Sequence, residues 1–301
     1  MRSSERVTGW AFSRQSAVGE RKVPPVSDLV REASGRADLP GGKSAEVLSV
    51  QAEAAVAREL NLPLREIEIS ALREGVIPAR YLRNLSTISQ AGQIQLLSSL
   101  VSVAGLGGLG GLVTELLARI GVGRIRAADG DWFEDHNLNR QVLCTRETIG
   151  EAKADAWRRR CGDVNPAVAV EAVSTALDLR EIPTFFDGAA VAVDALGGLA
   201  FRQDLQKGAA EAGIPLVTGA SAGWAGYAAV VLPGARGPSD MMGLGPAAED
   251  RLGVLGPTVA LVASLMCAET VQLITTGTSA LAGKMLVLDL RDMHFEQVRL
   301  G

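Results

Sequence analysis

The sequence predicts an α/β fold, a doubly wound and mostly parallel sheet of the Rossmann type preceded by an N-terminal helical extension. Three observations carry that expectation. From about residue 96, short runs rich in β-branched apolar residues alternate with segments of helical periodicity. A glycine-rich turn, VSVAGLGGLGG at 101–111, joins the first of those runs to a helix. Asp129 ends the next run, where such folds place a carboxylate against ribose hydroxyls.

Residues 1–44 are rich in Ser, Arg, Gly and Pro (VPPVSD, LPGGKS) and lack apolar periodicity, so a flexible tail is expected there. Residues 45–95 read as a helical extension. AEVLSVQAEAAVAREL and LREIEISALREG space their apolar residues as helices do, with NLP as the breaker between them, and PARYLRNLSTISQAGQIQLLSS follows as a third helical stretch. The main domain, 96–301, then runs strand LVSVAG, helix GLVTELLARIG, strand RIRAAD, a polar loop, and helix GEAKADAWRRRCGDV. Strands AVAVEAVS and AAVAVDA, helix FRQDLQKGAAEAG, and strands PLVTGAS and YAAVVLP come next. A glycine-rich loop (233–257) leads to the apolar helix TVALVASLMCAETVQLI, and KMLVLDLR is the last strand.

Composition narrows the classes of function. With 47% apolar residues in 301, the chain can bury a large core, and its net charge of −4 provides no global field for nucleic acid or an anionic membrane. Cys144, Cys161 and Cys267 are odd in number and widely spaced, with no C-x-x-C, against a disulfide framework or a zinc site and in keeping with a reducing cytoplasm. No signal-peptide pattern opens the sequence. The apolar helix carries Glu269 and Gln272 and falls short of a bilayer span, so it is expected to be a buried core helix. Only two histidines occur, His136 and His294, and no G-x-S-x-G elbow, which disfavours hydrolase chemistry.

The spacing Gly105-x-Gly107-x-x-Gly110, with Gly108 between, lets backbone N–H groups approach a phosphate at a helix N-terminus. At this point NAD, FAD and ATP all remain allowed. The following segment, DGDWFEDHNLNRQVLCTRETIGEAKADAW, favours a triphosphate over a dinucleotide. It supplies Asn137, Asn139, Arg140, Gln141 and Lys153, donors and cations suited to a polyphosphate tail, after the acidic pair Asp129 and Asp131.

GLGGLGG, DGDWFEDHNLNRQ, IGEAK and the NP at 165–166, continued by DALGGLAFRQ, GIPLVTGASAGWAGYAAVVLPG and GVLGPTVALVASLMCAE, resemble the adenylylating enzymes of the ThiF/MoeB/HesA family, relatives of the ubiquitin-activating enzymes. The likeness spans about residues 78 to 276. It implies ATP-dependent activation of a C-terminal carboxylate, commonly the Gly-Gly end of a small ubiquitin-like sulfur carrier, giving an acyl-adenylate and pyrophosphate. It places Asp129 on the ribose, the backbone of Gly105, Gly107, Gly108 and Gly110 beside the nucleotide, and Asn137, Arg140, Gln141 and Lys153 on the phosphates. ARYLRN at 79–84 resembles the segment whose second arginine reaches a partner subunit's triphosphate, which implies Arg83 in trans and a homodimer.

Three departures from the family pattern stand out. The carboxylate expected three residues after Asp194, which helps hold Mg²⁺, is replaced by Gly197, leaving the ion to phosphate oxygens, Asp194 or Asp131. The loop 233–257 has no cysteine for a covalent carrier intermediate, and the paired C-x-x-C zinc ribbon is missing. Adenylylation without a covalent enzyme–carrier step, and without zinc, is therefore expected. The alternatives are a catalytically degenerate nucleotide-binding scaffold, or activation of a peptide or a modified tRNA base.

Overall fold

The computed structural model describes residues 24–39, 43–241 and 248–300. Its centre is an eight-stranded sheet in the order β11-β10-β9-β8-β7-β4-β5-β6. These strands are β4 (Leu100–Ala104), β5 (Arg124–Ala128), β6 (Ala169–Val173), β7 (Val191–Asp194), β8 (Leu216–Ala222), β9 (Ala225–Val231), β10 (Lys284–Asp289) and β11 (His294–Arg299). The five from β6 to β8 are parallel, whereas β8 to β11 run antiparallel, with tight turns at β8–β9 and β10–β11 and a long crossover carrying α10 (Gly256–Thr276) between β9 and β10. The expected doubly wound sheet is present. A strand after KMLVLDLR was not expected: HFEQVR forms β11, and its polar, exposed face explains why it carries no apolar signal.

The inner parallel strands β4 and β7 are buried on both faces, as their Val/Ala runs require, while the edge strand β6 stays partly exposed. Helices α5 (Gly108–Ile120), α6 (Lys153–Val164) and α10 (Gly256–Thr276) cover one face. The short α7 (Ile182–Phe186) and α8 (Arg202–Glu211) cover the other with Phe185, Phe186 and Leu205. The chain builds outward through β4, β5 and β6, then returns to place β7 on the opposite side of β4. That reversal is a topological switch point, and the crevice beyond the carboxyl ends of β4 and β7 is where such sheets bind ligands. Helix α10 is long and apolar enough to cross a membrane, but half of its apolar window is buried against α5, β8 and β9, so it is a core helix.

The N-terminal region differs from expectation. Residues 26–33 form α1 (Val26–Ala33), and Gly35–Leu39 (β1) pairs antiparallel with Lys43–Leu48 (β2), so the flexible tail expected to residue 44 is folded from residue 26 across the described residues. The part of that tail at 1–23 lies outside the described residues. The expected helix AEVLSVQAEAAVAREL is strand up to Leu48. Ser49 then caps α2 (Val50–Leu60) by accepting from the Ala52 N–H. Strand β2 also pairs with the two-residue β3 (Ile77–Pro78) that follows α3 (Leu64–Arg73). The third helical stretch is a short 3₁₀ turn at Ala79–Tyr81 and then α4 (Gln90–Ser98).

This unit has a small core of its own around Val30, Leu48, Val56, Ile67 and Ala71. A buried polar network joins it to the main domain. Arg80 meets both Glu53 (3.2 Å) and Glu68 (2.7 Å), Tyr81 donates its hydroxyl to Glu68 (2.9 Å), and Asn165 donates to the Tyr81 oxygen (3.0 Å) and to the Ala118 carbonyl (2.9 Å). Burial first, and the Glu53 carboxylate second, push Glu68 up to about 8 against the pull of Arg80.

Candidate active site

The turn after β4 shows why glycine is required there. Gly105 sits at φ +92°, a left-handed conformation that favours glycine, and a Cβ on Gly110 would stand 1.9 Å from the Gly105 carbonyl oxygen. Only a glycine at both positions lets α5 begin this close to the strand. The first turn of α5 carries no acidic side chain, so its N–H groups and positive dipole end are left to a ligand.

A cleft of about 610 Å³ opens there, lined by Gly105, Gly107 and Gly108, by Asp129 and Asp131, and by Asn137, Arg140, Gln141 and Lys153. Gly197, Arg202 and Glu249 close it on the β7 side. The structure thus brings together nine of the twelve site residues that the sequence singled out, and leaves three outside the cleft lining. Gly110 serves the turn from behind, Asp194 lies beneath the floor, and Arg83 is on the exposed surface.

Each lining group is held by its neighbours. Asp129 accepts from the Leu106 N–H (2.6 Å) and the Asp131 N–H (2.8 Å), which ties the end of β5 to the glycine turn. Lys153 is buried along its stem, and its Nζ reaches Asp131 Oδ2 at 2.8 Å, with the aspartate open to solvent. Arg140 is oriented by the His136 carbonyl (2.9 Å) and Asn139 Oδ1 (2.8 Å). Asn137 spends its Oδ1 on the Glu134 N–H, leaving its amide NH₂ for a ligand. Gln141 is buried in the cleft wall, and its Oε1 has no partner within the protein. That oxygen can accept only from a donor outside the protein, a ligand or a water.

Asp194 does not fit the expected role of an Mg²⁺ ligand. It is 1% exposed, and its oxygens accept from Arg202 Nη1 (2.9 Å), Thr218 Oγ1 (2.8 Å) and the Leu196 N–H (3.2 Å). Arg202 in turn donates to the carbonyls of Leu196, Gly198 and Gly219, so the pair shapes the turn after β7. Burial is the largest influence on Arg202 and opposes its charge, but Asp194, Tyr227 and Glu249 together outweigh it and raise its pKa. Among cleft-lining carboxylates, Asp131 and Glu249 retain oxygens facing solvent or cleft, so an oxygen-seeking divalent ion shared with phosphates fits this donor set. Neither Arg202 nor Glu249 was singled out from sequence. Arg202 stands eight residues after its buried partner Asp194 in the motif DALGGLAFRQ, a spacing that does not itself announce the pairing, and Glu249 lies in a loop of low apolar content.

The cysteines offer no activated thiol. Burial, and then Asp135, raises Cys144, while burial pushes Cys161 up to about 11 and Cys267 up to about 12.

Residues 80–301 match the sequence profile of the ThiF family. The chain belongs to the ThiF family. It is 34% identical to the SAMP-activating enzyme E1 of Haloferax volcanii over 61% of this chain and 70% of that one. The sulfur carrier protein adenylyltransferase of Thermus thermophilus is 34% identical over 62% and 73%, and the molybdopterin-synthase adenylyltransferase of Salmonella typhimurium is 28% identical over 62% and 77%. The chain is thus an adenylyltransferase of the ThiF/MoeB type. Among solved structures it resembles E. coli MccB with ATP (TM-score 0.64, 20% identity, 83% of this chain and 82% of that one). A complex of MccB with N-formylated MccA is matched over 90% of this chain and 96% of that one (TM-score 0.64, 20% identity). The fold likeness therefore extends beyond the family profile into the N-terminal unit.

Proposed function

We propose that this ThiF-family chain binds ATP in the switch-point cleft and adenylylates the C-terminal carboxylate of a small ubiquitin-like sulfur carrier ending in Gly-Gly. The observation that carries the reading is the convergence of Lys153, Arg140 and Asn137, with the Gln141 side chain, on one cleft beside free helix N–H groups. In the reaction a carboxylate oxygen attacks the α-phosphorus, the bond to the bridging oxygen breaks, and pyrophosphate leaves. A carboxylate is ionised at neutral pH and needs no general base, so alignment and charge neutralisation are what the residues supply. Lys153 and Arg140 neutralise the phosphate tail, the α5 N–H groups hold it, and Asp129 stands where the ribose falls. A divalent ion, when bound, neutralises charge on the departing pyrophosphate, with Asp131 and Glu249 as the carboxylates available to it. The raised thiol pKa values agree with chemistry that passes through no enzyme thioester.

Arg83 is exposed and is not among the residues that line its own cleft, which suits a residue supplied to the partner's site in a homodimer. A peptide is a second substrate class for the same chemistry. The observation that favours it is the fold likeness to MccB, solved with MccA, across the N-terminal unit.

Carrier-dependent exchange of labelled pyrophosphate into ATP tests the proposal. Wild-type protein is expected to exchange. Arg140→Ala and Lys153→Ala should each lose at least about a hundredfold, the size typical of removing one transition-state donor, with unchanged circular dichroism. Mixing inactive Arg83→Ala with inactive Lys153→Ala subunits should restore part of the rate, since a mixed dimer holds one complete site. ATP binding without any exchange, for carriers or for peptides, would leave only a nucleotide-binding scaffold.

A further inference from the structure

We propose that Glu249, from the short helix α9 (Ala248–Leu252), is the carboxylate through which this chain holds the divalent cation of its nucleotide. The inference rests on the ATP reading of the cleft. Three carboxylates line that cleft, and they differ in what already occupies them. Asp129 has given both oxygens to backbone N–H groups. Asp131 is ion-paired with Lys153, a cation that the phosphates themselves need. Glu249 accepts one hydrogen bond, from the Gly198 N–H to Oε1 at 2.9 Å, and its Oε2 has no protein partner among the described residues.

Its position is also the useful one. Lys153 stands with Asp131 after β5 and Arg140 lines the same cleft, while Glu249 sits on the β7 side against Gly197, beside an Arg202 whose charge is held by Asp194. A phosphate tail between them would meet fixed positive charge on one flank and a metal-bearing carboxylate on the other. Mg²⁺ keeps several waters and takes one or two carboxylates alongside substrate phosphates, so a single open glutamate satisfies it. The helix is anchored for the task. The Gly223 N–H donates to the Gly253 carbonyl (2.8 Å), and Asn139, next to Arg140, donates to the Val254 carbonyl (3.2 Å).

Gly197 explains how the sequence can dispense with an acidic residue in the turn after β7. A Cβ built on Gly197 would meet Glu249 Oε1 at 3.8 Å and nothing else within 4 Å. The glutamate therefore reaches, from another element, the edge of the space that a side chain at 197 would enter, and leaves that space open. The same vacancy permits a rescue.

Calorimetric titration of the full chain with α,β-methylene-ATP, in MgCl₂ and in EDTA, tests the proposal without turnover. Glu249→Gln keeps an oxygen for the Gly198 N–H while losing the charge. It is expected to retain the affinity seen in EDTA and to lose about tenfold or more of the gain that Mg²⁺ brings. Gly197→Asp in the Glu249→Gln background should restore that gain. An undiminished Mg²⁺ effect in Glu249→Gln overturns the proposal and leaves the nucleotide site standing. An equal fall with and without metal also overturns it, making Glu249 a prop for the turn. No binding by the wild type overturns both the proposal and the ATP reading.

Discussion

At the scale of single residues, the pair Asp194–Arg202 shows how a site is shaped from below. Both groups are almost fully buried, and between them they engage Thr218, Tyr227 and three backbone carbonyls around the β7 turn. Removing one partner leaves the other charge uncompensated, at a cost of about 3–5 kcal/mol. Asp194→Asn is therefore expected to lower stability by that amount in urea unfolding, with weaker nucleotide binding as a secondary result. A change below about 1 kcal/mol, alongside lost Mg²⁺ dependence, would return Asp194 to the metal. Sequence made Asp194 visible, because an aspartate ending a buried strand is conspicuous. It hid the role, because the deciding partner is set by a turn geometry that no spacing encodes. Lys153, Arg140 and Asn137 were legible because they belong to one contiguous loop. Glu249 was not, since only the folding of a distant loop onto Gly198 brings it to the cleft.

At the scale of elements, glycines divide into those that permit a close approach and those that merely weaken a helix. Gly110→Ala forces a methyl group against the Gly105 carbonyl, with a backbone oxygen that cannot swing aside. The expected loss is about 1–3 kcal/mol of stability, as for overpacked cores, and more of nucleotide affinity, since α5 must withdraw from β4. Gly162, on the exposed side of α6, has nothing within 4 Å of a built Cβ. Gly162→Ala should add about 0.5–1 kcal/mol by helix propensity. Thermal melts of the two variants moving in the same direction would contradict this division. The elements easiest to read were those with one period and a firm boundary, such as LVSVAG before its glycine turn. The N-terminal hairpin escaped because GRADL and KSAEVL are short, polar and mostly exposed, and AEVL fits a helical period as well as a strand. Its pairing supplies the order that its sequence does not announce.

At the scale of the whole molecule, the N-terminal unit and the main domain are coupled through Glu68. Its pKa is raised from an ordinary 4.5 to about 8, so the folded protein holds that proton more tightly than the unfolded chain. The sign follows from linkage. The contribution is complete below about pH 4.5 and is lost as pH rises through about 8. The unfolding midpoint of the wild type is expected to fall between pH 6 and pH 9. Glu68→Gln, an isostere of the protonated acid, should flatten that fall and at pH 9 equal or exceed the wild type. Parallel profiles for the two proteins would show that the network carries no such proton. The main sheet was legible as a whole because its order follows from βαβ rules, whereas this junction joins elements from residues 53 to 165 and leaves no periodic trace.

Arg80 and Arg83 stand three residues apart, the first sealed into that junction and the second exposed to solvent. An arginine on a loose loop must surrender several torsions before it can grip an anion in a neighbouring subunit. Here the backbone beneath Arg83 is already held by Arg80, so under the proposed in-trans role only the Arg83 side chain is left to order on an anion.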